Sequence, residues 1–306
     1  MILKSLKNSH SYLIIALILF SLFFFTPSYF ILESKKYLPL FPYSSIFILL
    51  LSFLLTTFFS IALNNLIYEK DVIKKPNFVL AFVFLLLNTP LIENDELVII
   101  NYKMMICSFL LLLFLSYLFK LYKQKQPYSI VFNSGIILSL LSFYIPHTLM
   151  LFPLIIFSTL IFRNIDWRII VISIFSLFVP YLFVWTYQFF FREALFFPIF
   201  NLKYISINFA VNSYPLHQKI WFSILLVIFL FSIIEIFKWM YKKSIRSRES
   251  FAIIIFFLLQ SIFIFLFTDN TESAFLIFIP LSIIISNFFV YYKKSFLSEF
   301  LFILFL

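Results

Sequence analysis

IFRNIDWRIIVISIFSLFVPYLFVWTYQFFF, residues 161–191, decides the fold class. It opens on a charged turn, Arg163-Asn164-Ile165-Asp166-Trp167-Arg168, and then runs almost without a polar group to Phe191, interrupted at Pro180. About 20 apolar residues in a helix match a hydrocarbon layer of ~30 Å, so this run reads as a membrane span rather than a core helix of a soluble domain. Apolar runs lie on both sides of the turn, so its two arginines orient everything around them.

Working outward, composition points the same way. The chain has 306 residues, of which 63% are hydrophobic and only 12% charged, with a mean hydropathy of +1.08. The charged fraction is about half that of an ordinary globular domain, too little polar surface to face water on all sides. There are 49 phenylalanines and one glycine, Gly135. Glycine-rich crossing motifs are therefore absent, and helices are expected to pack through serine, alanine and interdigitated aromatics. The net charge of +10 sits in short loops beside apolar runs, a topology pattern that argues against a nucleic-acid partner. The one cysteine, Cys107, excludes a disulfide framework.

The fold class that follows is all-α: a polytopic integral membrane helical bundle treated as one transmembrane domain over 1–306. Spans are expected at about 12–29, 44–67, 78–91, 102–121, 130–145, 149–162, 169–191, 220–240, 251–268 and 273–292, ten in all. The first, with its apolar core Tyr12–Phe25, lacks a small-residue cleavage site and reads as uncleaved. Those at 78–91, 130–145 and 149–162 are short, which suits little tilt, a thinned bilayer or partial re-entry. Residues 296–306 form an apolar tail too short to cross. The outer segment 192–219, aromatic and broken by Pro198 and Pro215, is expected to lie in the interface.

Basic residues test this count. Loops on one side carry Lys4 and Lys7; Lys70, Lys74 and Lys75; Lys120, Lys123 and Lys125; Arg163 and Arg168; Lys238, Lys242, Lys243, Arg246 and Arg248; Lys293 and Lys294. The other side carries Lys35, Lys36, Arg192, Lys203 and Lys219. The bias predicts a cytoplasmic N-terminus and, with it, a multi-pass address in a bacterial inner membrane.

Acids collect on the opposite side, as Glu93-Asn94-Asp95-Glu96, Asp269-Asn270-Thr271-Glu272, Glu33 and Glu193. Such acids are tolerated outside because they weigh little in orientation. Converging, they would form an acidic mouth able to supply a general base or hold a divalent cation through carboxylate oxygens. Glu33, Glu93, Asp95 and Glu96 are thus the candidate catalytic acids. Arg163, Asp166, Trp167, Arg168, His147, Asp269 and Glu272 are candidate binding residues. A divalent cation follows only if the outer acids meet. Asn64, Asn65, Asn88 and Asn133, in or near spans, read as hydrogen-bonding groups between helices. One glycine precludes Walker-type and GxGxxG loops, and HExxH, CxxC and GxSxG are missing.

The FRNIDWR turn followed by a span reaching Pro180-Tyr181 resembles the central signature of an uncharacterised, domain-of-unknown-function family of Bacteroidota inner-membrane proteins of similar length. That resemblance implies an inner-membrane address and no particular activity. Residues 80–163, with the Asn88-Thr89-Pro90 turn, an acidic outer loop and a basic inner loop, also resemble the GT-C class of polytopic glycosyltransferases. That likeness implies a polyprenyl-linked sugar substrate, although the first outer loop offers Glu33-Ser34-Lys35-Lys36 where the class carries an acidic pair. Three functions remain: a non-catalytic subunit or scaffold of a cell-envelope assembly, a GT-C-like transferase or polymerase, or a transporter or flippase of a lipid-like substrate. The corresponding partners are membrane lipid, a second membrane protein or a polyprenyl-linked substrate.

Overall fold

The computed structural model describes residues 2–7, 12–22, 45–88, 95–164, 166–191, 216–267, 275–292 and 295–306, and these are helical with connecting turns and no strand among them. In chain order the helices are α1 (Ile2–Leu6), α2 (Tyr12–Leu22), α3 (Ser45–Glu69), α4 (Val79–Asn88), α5 (Asp95–Lys120), α6 (Tyr128–Tyr144), a 3₁₀ helix (Pro146–Leu151), α7 (Phe152–Ile161), α8 (Trp167–Phe191), α9 (Leu216–Met240), α10 (Ile245–Phe267), α11 (Phe275–Tyr291) and α12 (Ser295–Phe305). Four of them contain stretches long and apolar enough to cross a membrane: Leu50–Glu69, Trp167–Phe191, Lys219–Lys238 and Ile245–Phe267.

Two helices start earlier than hydropathy suggests. α5 begins at Asp95 rather than near 102, and α10 at Ile245 rather than near 251, so Arg246 and Arg248 belong to a first helical turn and not to a loop. A hydropathy window stops at the first charge. A helix does not: its backbone bonds form whatever the side-chain charge, and its first-turn amide N–H groups, which lack intrahelical partners, favour polar surroundings.

The chain divides into two compact units, one comprising Met1–Ile106, Ile207–Ser247 and Phe278–Leu306, the other Cys107–Ser206 and Arg248–Ile277. In the first, α4 is buried along its whole length. It packs on α3, where Phe59 and Phe84 meet at 4.8 Å, and Phe20 of α2 reaches Phe82 at 5.4 Å. Ten residues rise only about 15 Å, half a hydrocarbon layer, and a helix apolar on every side at that length is a protein-enclosed element. The terminal helices α1 and α12 pack on each other, and α12 also on α9.

In the second unit the main packing is α6 against α8. The buried stripe of α6 runs Val131, Ser134, Gly135, Leu138, Ser139, Leu141 and Ser142; that of α8 runs Ile169, Ser173, Ser176, Pro180 and Tyr181. Both follow helical spacing, and their small residues let the backbones approach closely. Gly135 sits at the tightest point, against Ser176 and the Ser173 carbonyl. The serine hydroxyls are mostly closed on their own helix: Ser134 donates to the Val131 carbonyl, Ser173 to Ile170 and Ser176 to Ser173, each at 2.7 Å. The seam is therefore held by shape, with one polar link, Ser142 Oγ to Tyr181 Oη at 2.5 Å. The 3₁₀ turn before α7 buries His147, Thr148 and Leu151 in protein.

Candidate functional site

Charged turns, rather than a cavity, carry the chemistry among the described residues. Three non-glycine residues have positive φ, and all three are charged: Asp71 (57°), Lys123 (58°) and Arg163 (58°). Two close Schellman motifs. After α3, Val72 N–H donates to the Ile67 carbonyl at 3.1 Å and Asp71 N–H to Tyr68 at 3.0 Å. After α7, Asn164 N–H donates to Thr159 at 2.9 Å and Arg163 N–H to Leu160 at 3.0 Å. This arrangement satisfies the last carbonyls of a helix and usually places glycine where Asp71 and Arg163 stand. In a chain with one glycine the left-handed position falls to charged residues, at a cost of roughly 1 kcal/mol each.

In the second unit the Arg163 turn meets the turn after α5. Asn164 Nδ2 donates to the Leu121 carbonyl at 2.6 Å, and the Tyr122 and Phe162 rings meet edge-on at 5.5 Å. Lys120 and Lys123 lie over the rings of Tyr117 and Tyr122, at 4.7 and 5.5 Å from the centroids. Arg163, Asp166, Trp167 and Arg168 are all exposed. The Arg168 guanidinium lies 5.9 Å from the Trp167 ring, and the Asp166 carbonyl accepts from Ile169 N–H at 3.0 Å as α8 begins.

In the first unit a denser group gathers around Tyr291 at the end of α11. The Lys243 ammonium is 3.8 Å from the ring centroid and that of Lys75 is 5.4 Å from it. Lys74 N–H donates to Tyr291 Oη at 3.2 Å. Arg246 Nη1 donates to Asp71 Oδ2 at 2.9 Å, and Ser247 Oγ to the Asp71 carbonyl at 2.6 Å, so the start of α10 is fastened to the turn after α3. Phe78 N–H donates to the Leu6 carbonyl at 3.0 Å, which brings Lys7 to the same turn. Asn64 Nδ2 donates to the Asn77 carbonyl at 2.8 Å, while Asn77 Oδ1 accepts from Val79 N–H at 3.1 Å and starts α4. Burial, then the charge of Lys75, holds the Lys7 ammonium below the ordinary lysine range, with Glu299 opposing. Burial, then Lys75 and Lys74, does the same to Lys243.

The remaining candidates are placed as follows. Asp95 and Glu96 start α5; Glu33, Glu93, Asp269 and Glu272 lie outside the described residues. Among the described residues no group of three His, Cys, Asp or Glu side chains could hold a metal ion. His147 is buried in the 3₁₀ helix, with about 1% of its surface exposed. Asn64 does bond between elements, whereas Asn88 Nδ2 donates back to Phe84 of its own helix at 2.9 Å, and Asn65 and Asn133 are exposed. Sequence reasoning did not single out Tyr291, Lys75, Lys243 or Asp71. The available signal was the shared side of their loops.

A family model with the description Family of unknown function (DUF6427) matches residues 2–306. No curated protein and no solved structure matches the chain.

Proposed function

The chain belongs to DUF6427, a family of unknown function, and from that premise we propose that it is a non-catalytic subunit or scaffold of a cell-envelope assembly. In this reading it spans a bacterial inner membrane about ten times with its N-terminus in the cytoplasm. The contacts within each unit support that topology. Lys7, the 70–75 turn and the 241–247 segment, assigned to one side by charge alone, meet around Tyr291. The 121–125 and 163–168 turns, assigned to that same side, meet through Asn164.

The observation that carries the scaffold reading is the free face of α8. Its buried row, Ile169, Ser173, Ser176 and Pro180, is matched by an exposed row, Val171, Phe175, Phe178 and Leu182, two residues and so about 200° away. Large rigid rings at regular spacing along a crossing helix suit a second membrane protein's helix, since aromatic anchors dominate buried interfaces.

The test separates lipid from partner. A tagged chain is extracted in mild detergent and sized by native electrophoresis and mass photometry, beside a Phe175→Leu/Phe178→Leu variant that lipid tolerates equally. The wild type is expected in a particle well above the 36.7 kDa chain, and the variant at the mass of the chain alone. A wild type already at that mass sinks the scaffold reading.

A further inference from the structure

Five cations, Lys7, Lys74, Lys75, Lys243 and Arg246, meet in the first unit with two carboxylates, Asp71 and Glu299. Asp71 is engaged by Arg246 at 2.9 Å, so its charge is spent locally. The lysines come from three separate segments: the end of α1, the turn after α3 and the turn after α9. Each is fixed by bonds that serve no other evident purpose. The Leu6–Phe78 backbone bond holds Lys7 near Lys75, and the Asp71–Ser247 and Asp71–Arg246 bonds hold the start of α10, next to Lys243, against the 70–75 turn. The Tyr291 ring then receives the Lys243 and Lys75 ammonium groups on its π system, and its oxygen accepts the Lys74 amide.

Cations repel one another, and an anion held among them removes that repulsion. A ring quadrupole lessens the repulsion and fixes where the ammonium groups sit. What fits among compact, strongly hydrated ammonium groups at this spacing is a small anion with several oxygens, and lysine binds phosphate as a point charge. We propose that Lys7, Lys75 and Lys243, organised by Tyr291, bind a phosphoryl group at the headgroup level of the membrane. The lowered proton affinity of Lys7 and Lys243, set first by burial and then by neighbouring lysine charge, accords with this, because an anion in their midst would favour the charged forms.

The site goes beyond the scaffold reading and does not depend on it. Its chemistry has two sources, a lipid headgroup or free phosphate, and the probes distinguish them. Full-length protein in a non-ionic detergent is titrated with phosphatidylglycerol, with zwitterionic phosphatidylcholine and with inorganic phosphate. Retention is read by native mass spectrometry for the lipids and by isothermal calorimetry for phosphate. Three proteins are compared: wild type, Lys75→Gln/Lys243→Gln, and Lys120→Gln/Lys123→Gln, which loses the same charge from the second unit. Phosphatidylglycerol is expected to be retained over phosphatidylcholine by wild type and by the Lys120/Lys123 variant, and at least about tenfold less by the Lys75/Lys243 variant. Phosphate heat lost in the same variant identifies free phosphate as sufficient; its absence identifies the lipid. Far-ultraviolet circular dichroism and the thermal midpoint of each variant check that the fold persists. Equal retention in all variants, or equal loss in both double variants, overturns the site and leaves only diffuse charge.

Discussion

Gly135 makes the packing of α6 on α8 testable to within a methyl group. A methyl at this position would lie 2.7 Å from Ser176 Cβ and 3.4 Å from the Ser173 carbonyl oxygen. The first contact is about 1 Å inside the ~3.5–4.0 Å optimum for carbon atoms. Ser176 Cβ is fixed to its backbone, so no rotamer relieves the clash and the helices must separate. Overpacking of this kind costs about 1–3 kcal/mol, while exchanging glycine for alanine within a helix returns about 1 kcal/mol, leaving Gly135→Ala destabilised by up to about 2 kcal/mol. Ser176→Gly alone should cost about 0.5 kcal/mol in helix propensity. The double variant moves the small residue across the seam, gives the methyl room and should return to within about 0.5 kcal/mol of wild type, a coupling of a size seen between touching residues. Thermal unfolding of the detergent-solubilised proteins, followed by tryptophan fluorescence, should order the midpoints as wild type and double variant, then Ser176→Gly, then Gly135→Ala. A double variant no more stable than Gly135→Ala would refute the close approach.

The charged left-handed turns give a second expectation: Arg163→Gly should raise stability by about 1 kcal/mol by relieving backbone strain, and Arg163→Val should lower it, in the same unfolding assay. Topology is checked in a Cys107→Ala background with single cysteines placed at 124, 164 and 242. An impermeant thiol reagent outside intact spheroplasts should leave all three unlabelled, and labelling at 242 would reverse the assignment. The outer acids are tested by heat: if Glu33 and Asp95 share a divalent cation, magnesium or manganese should raise the melting midpoint, and Glu33→Gln or Asp95→Asn should abolish the rise. A midpoint indifferent to metal in wild type retires the GT-C-like reading.

Much of the fold is legible because a lipid-exposed helix announces itself by length and hydropathy. The exposed and buried rows of α8 both come from residues that are apolar or small, yet only the structure separates Phe175 from Ser176. α5 and α10 start upstream of their apolar runs for the opposite reason: Asp95 and Arg246 are charged, and charge ends a hydropathy window without ending a helix. The Asp71 and Arg163 turns were illegible as Schellman motifs, because the sequence cue is a glycine that this chain does not supply. The cluster at Tyr291 was half legible. Charge bias put Lys7, Lys75 and Lys243 on one side, but their meeting depends on tertiary bonds such as Leu6–Phe78 that no local pattern encodes. For the outer acids, sequence supplied residue types and a shared compartment; whether four carboxylates from distant loops converge is a tertiary property.

The self-closed serines of α6 and α8 bear on how such a chain enters a bilayer. A hydroxyl already bonded to the carbonyl three residues back needs no partner helix to be tolerated in hydrocarbon. Most of these hydroxyls are bonded within their own helix before any neighbour arrives, Ser139 Oγ of α6 excepted. A misdocked pair therefore finds few exposed donors to seize, so wrong pairings are short-lived. The side chains that do reach another element, Asn64, Asn164 and Tyr181 among them, close only once the neighbouring segments have arrived. They act as latches on an arrangement otherwise held by shape.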